Sequence, residues 1–210
     1  GVDRTAPKLS SAKRSISRKE LFNASDDDVL IGLIGRINRL KGHQLLLNVF
    51  KRLKTNHQQI KLCFVGSPPD NQDHFLTDLK ASISAHNLDE TVTILPFQKD
   101  VYSIIDLLDI VTVPSTESES FGIIAVEAML SNKPVVASRL GGLLDIIDDE
   151  QTGILFEPND EDDFYDKLDR LLKDDTLISS IASKASLAAA NKFSSESMYA
   201  QFLKVYNGIE

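Results

Sequence analysis

The sequence predicts an α/β fold: a doubly wound parallel sheet of six strands, with helices on both faces and a helical C-terminal tail. Two observations carry this. Short apolar segments alternate with longer amphipathic ones along most of the chain. The strand-like segments also lack a polar face, so both faces must be covered, as in parallel sheets wrapped by helices.

Residues 1–27 are polar and read as a lead-in linker with one short helix near Ser17–Phe22. Residues 28–192 hold the expected ligand-binding domain. Its candidate strands are Val29–Ile34, Ile60–Val65, Val92–Leu95, Ile110–Val113, Pro134–Ser138 and Ile154–Phe156, each a compact apolar run. Helix-period segments lie between them: His43–Thr55, Gln72–His86, Val101–Leu107, Phe121–Ser131 and Gly142–Ile147. A tail follows, about Asp162–Leu172, Thr176–Asn191 and Ser195–Asn207, whose last helix belongs to segment 193–210. Asn132, at the end of the Phe121–Ser131 helix, suits a left-handed C′ position.

Composition narrows the function classes. At 210 residues the chain can bury a full core in one domain. A net charge of −8 argues against nucleic-acid binding, whose footprint is basic. One cysteine, Cys63, sits in an apolar run, which allows no intrachain disulfide and suits a buried thiol. No apolar run reaches membrane-spanning length and no signal peptide is read, so the expectation is a cytoplasmic domain. The four histidines lack metal-ligand spacing, and His43 is expected at the surface. The acidic runs Asp26–Asp28 and Asp160–Asp163 fit capping and solvation.

The most informative stretch is Glu119-Ser-Phe-Gly-Ile-Ile-Ala-Val-Glu127. A helix starting near Phe121 would leave the N–H groups of Phe121, Gly122 and Ile123 free at its positive end, an anion site. Gly122 lets a ligand approach the backbone. Glu119 and Glu127 can face the same ligand, which suits a molecule both anionic and rich in hydroxyls, such as a nucleotide sugar. Arg36, Lys41, Gly66-Ser67, Pro96-Phe97, Ser115, Glu119 and Gly141-Gly142 all follow strands. They would gather on the sheet edge where doubly wound folds bind ligands.

With Gly35-Arg-Ile-Asn-Arg-Leu-Lys-Gly42, Pro114-Ser115, the glutamate motif, Pro134-Val-Val-Ala137, Gly141-Gly142 and Thr152-Gly-Ile-Leu-Phe156, the chain resembles the C-terminal, donor-binding, Rossmann-like lobe of family 4 retaining glycosyltransferases of GT-B architecture. The resemblance covers nearly the whole chain. It implies transfer of a hexosyl or N-acetylhexosaminyl group from a UDP- or GDP-sugar, as in bacterial polysaccharide biosynthesis, without a metal or other cofactor. It assigns Arg36 and Lys41 to the diphosphate and Glu119 to the donor sugar, these three being the catalytic candidates. Glu127 would take the ribose, and Gly35, Phe97, Phe121, Gly122 and Ile123 would complete donor binding.

Taken alone, Arg36 and Lys41 also fit a solvated basic loop, Glu127 a helix carboxylate, Glu119 an N-terminal helix charge and Phe97 a buried loop ring. The resemblance further implies an N-terminal acceptor lobe, onto which segment 193–210 would pack and through which peripheral membrane contact could arise. The isolated chain is then expected to bind donor weakly and not turn over. A non-catalytic nucleotide-sugar module and a GT-B phosphorylase or epimerase are the competing readings.

Overall fold

The computed structural model describes residues 1–4, 7–118, 120–206 and 208. Its centre is a six-stranded, wholly parallel sheet: β1 (Val29–Ile34), β2 (Ile60–Val65), β3 (Val92–Leu95), β4 (Ile110–Val113), β5 (Val135–Ser138) and β6 (Ile154–Phe156). The order is β3-β2-β1-β4-β5-β6, so strand order reverses between β1 and β4. There Ile31 pairs with Ile110 and Leu33 with Thr112.

Strand periodicity divides the core in two. Leu30, Cys63, Val65, Val111, Val113, Val135 and Ala137 face one cluster; Ile31, Leu33, Leu62, Phe64, Ile110 and Val136 face the other. The first is covered by α4 (Val101–Leu107), α5 (Ile123–Leu130), α6 (Leu143–Ile146) and part of α8 (Asp175–Phe193). The second is covered by α2 (His43–Asn56), α3 (His74–Ala85) and α7 (Glu161–Leu172). Gly32 leaves room on the first face, because a Cβ there would lie 2.8 Å or less from both Leu108 methyl carbons. Cys63 is free and fully buried, and burial pushes its thiol pKa up.

The leading helix α1 (Ser11–Phe22) is longer than the Ser17–Phe22 segment expected, and Ser10 caps it by accepting from the Lys13 amide. Arg18 is fully buried and makes five hydrogen bonds, to the carbonyls of Ser25 (two), Leu107 and Asp28 and to the Asp109 carboxylate. Arg14 joins it on Asp109, and Arg4 reaches Asp106 at 2.7 Å. Lys133 is half-buried across the same corner and donates to the carbonyls of Asp106 and Leu108, its pKa pushed down to about 8 by desolvation. The first residues also meet the junction of α8 with the last helix, α9 (Ser195–Tyr206): the Ser195 amide donates to Asp3 and the Val2 amide to the Phe193 carbonyl. No helix among the described residues is long and apolar enough to cross a membrane.

Candidate functional site

The strand reversal leaves a crevice at the carboxyl ends of β1 and β4, the usual ligand position in such sheets. On the β1 side, the Gly35 amide donates to Val65 and the Ile37 amide to Ser67, joining the loops after β1 and β2. A Cβ on Gly66 would overlap the Gly35 carbonyl oxygen, so only glycine lets these backbones approach so closely. The chain then makes one 3₁₀ turn, Arg39–Lys41, capped by Asn38, whose side-chain oxygen accepts from the amides of Leu40 and Lys41. This turn aims the Lys41 stem across Gly35, its Cδ 3.6 Å from where a Cβ at 35 would stand.

On the β4 side, α5 begins at Ile123, two residues later than the sequence suggested. Gly122 is its N-cap with φ 85°, and no side chain caps the helix. Phe121 therefore lies before the helix, and the Ile123 and Ile124 amides occupy its first turn. Glu127 follows one turn in. Gly142 brings the next loop beneath this start: a Cβ on it would lie 2.8 Å from the Phe121 Cα.

A cavity of about 500 Å³ opens between the two sides, within the roughly 300–1,000 Å³ usual for small-molecule sites. Gly35, Arg36, Gly66, Phe97, Ile124 and Glu127 all line it. Glu127 is half-buried, and desolvation raises its carboxyl pKa. Phe97 is 72% exposed at the rim, contrary to a buried loop ring, and its amide donates to Ser67 Oγ at 3.1 Å. That amide is thus engaged inside the protein. Phe121 and Ile123 instead line a second hollow of about 380 Å³ with Phe193 and Met198. Glu119 lies outside the described residues.

Sequence reasoning missed Asn38, Thr116 and Asn159. Asn38 alone had a local signal, an asparagine opening a short helical turn. His43 is a correction: it is 4% exposed rather than at the surface, with its ring against Phe64. The acidic run does cap, since Asp160 accepts from the amides of Asp162 and Asp163.

Residues 14–188 match the family described as "Glycosyl transferases group 1", and the chain belongs to that family. It is 34% identical over 209 residues to D-inositol 3-phosphate glycosyltransferase of Corynebacterium jeikeium, covering 98% of this chain and 49% of that protein. Anabaena HepE, solved in complex with UDP and glucose, has the same fold with a TM-score of 0.87 at 25% identity, covering 95% of this chain and 53% of HepE. The C-terminal domain of LpcC, a group 1 glycosyl transferase from Francisella tularensis, superposes with a TM-score of 0.74 at 26% identity, covering 84% and 98%. The chain thus spans about half the length of the curated relatives it matches. Its sheet is a Rossmann-like unit of GT-B type.

Proposed function

We propose that this chain is the donor-binding lobe of a retaining glycosyltransferase that moves a hexosyl or N-acetylhexosaminyl group from a UDP- or GDP-sugar to an acceptor hydroxyl. The observation that carries the proposal is the shared cavity: Gly35 and Arg36 from the β1 side and Glu127 from the β4 side line one cleft at the strand reversal. The base lies against the Phe97 loop, the ribose hydroxyls donate to Glu127, and the diphosphate meets Arg36, Lys41 and the first turn of α5. Glu119 contacts the donor sugar. Arg36 supplies forked contacts and Lys41 a point charge.

Breaking the glycosidic bond leaves its electron pair on the departing diphosphate. Cations and a helix N-terminus fixed beforehand at that position stabilise the charge as it develops. No metal is required in this scheme, and neither glutamate serves as nucleophile. A second, N-terminal lobe carries the acceptor site and completes water exclusion. The matched LpcC domain, a C-terminal one, and the half-length match to the curated relatives favour this arrangement.

Glu127→Ala tests the ribose contact. It is expected to weaken UDP or GDP binding about 10–100-fold, the loss of hydrogen bonds to a charged acceptor, while barely affecting a 2′,3′-dideoxy diphosphate. Equal losses for both ligands in calorimetry would remove the ribose role.

A further inference from the structure

Two loops flank the cleft, and a set of contacts outside it ties them together. The Thr116 amide donates to the Leu40 carbonyl at 2.9 Å. Its hydroxyl donates to the Arg39 carbonyl at 3.1 Å and more weakly towards Leu40 at 3.4 Å. Arg39 pairs with Glu117 beside it. Where Gly42 ends the 3₁₀ turn at φ 73°, a Cβ would overlap the Pro114 carbonyl oxygen. From the other direction Asn159, at φ 61° in the loop after β6, donates through Nδ2 to the Thr116 carbonyl at 3.3 Å. Both faces of the 3₁₀ turn are therefore fixed: Asn38 holds its amides and Thr116 its carbonyls. A turn held on both sides has little freedom to rotate, and Lys41 is its last residue.

We propose that Thr116, backed by Asn159, is a positioning residue that locks the β1 loop to the β4 loop, setting Lys41 against the diphosphate before the ligand arrives. The inference rests on the donor-site reading above. Neither residue lines the 500 Å³ cavity, and Lys41 borders it only through its stem lying across Gly35, so the effect passes through the turn that carries that stem. Orientation fixed before binding is reflected in affinity for the group that Lys41 meets, and not in affinity for the base or ribose.

The test is a double-mutant cycle on the full chain, read by calorimetry with UDP, GDP, uridine and guanosine. Thr116→Val keeps the shape and removes the hydroxyl; it is expected to weaken the bound diphosphate about 3–10-fold and to leave the nucleoside unchanged. Thr116→Ser restores the affinity. In a Lys41→Ala background, Thr116→Val costs nothing further, because the group it positions is gone. Should Thr116→Val fold poorly by circular dichroism, Asn159→Gly serves instead: it keeps the left-handed backbone and removes the tie, with a smaller loss of the same pattern. Diphosphate affinity unchanged in the variants, losses that simply add with Lys41→Ala, or equal losses for diphosphate and nucleoside would overturn the lock. Absence of diphosphate binding by the unmodified chain would overturn the donor-site reading, and the lock would fall with it.

Discussion

His43 opens α2 with its ring tilted against Phe64, centroids 5.3 Å apart, and neither ring nitrogen has a hydrogen-bond partner. Burial depresses its pKa from 6.5 to about 4. The unfolded chain then binds a proton that the folded chain refuses. Stability is fully present above pH 6.5 and declines as pH falls towards 4, by up to roughly 3 kcal/mol at about 1.4 kcal/mol per pH unit. Replacing the ring by an apolar side chain in His43→Leu should flatten this part of the acid profile. Urea midpoints at pH 7 and pH 4.5 check it, and an unaltered difference between them would show that other groups set the acid sensitivity. A histidine at a helix start suggested a surface residue, yet positions 46, 47 and 50 are core leucines and phenylalanine at helical spacing from it. That spacing was the available signal. Asn132 was legible for the opposite reason: its conformation is a local preference, and it stands at φ 59° as expected. Thr116 and Asn159 carried no local signal, because their partners lie tens of residues away.

All six strands were legible to within a residue, since each is a short, mostly apolar run that only a doubly covered sheet can bury. Helix boundaries were harder. In α1 the residues Ser11–Ser17 have no apolar stripe, and the helix docks through Arg14 and Arg18 on Asp109, which hydrophobic periodicity does not register. In α5 the start moved because Gly122 adopts a left-handed conformation, ending the loop where continued helix was expected. The 3₁₀ turn gives the sharpest prediction at this scale. Gly42→Ala places a Cβ in the Pro114 carbonyl while demanding φ 73°, so it should destabilise by well over ~1 kcal/mol, more than the strain of left-handed alanine alone. A denaturation midpoint equal to that of the unmodified protein would contradict the close approach of the two loops.

At the scale of the molecule, the strand order 3-2-1-4-5-6 places Arg36 and Glu127 on one crevice although 91 positions separate them. The sheet edge was readable from sequence because glycines, prolines and charged residues cluster directly after the strands. The cavity itself was not, since it depends on Gly66 and Gly142 allowing backbones to approach. What the whole arrangement should do is recognise a nucleoside diphosphate through its phosphates. The most direct measurement is calorimetric titration of the chain with UDP, GDP and ADP and their nucleosides, in EDTA, alongside Arg36→Ala. One diphosphate should bind in preference to the others, with a Kd of roughly 10 µM to 1 mM. Arg36→Ala should weaken it at least about tenfold, as loss of a charged hydrogen bond implies, with its nucleoside unaffected. Equal affinity for diphosphate and nucleoside, or no binding of any diphosphate at millimolar concentration, would contradict the account.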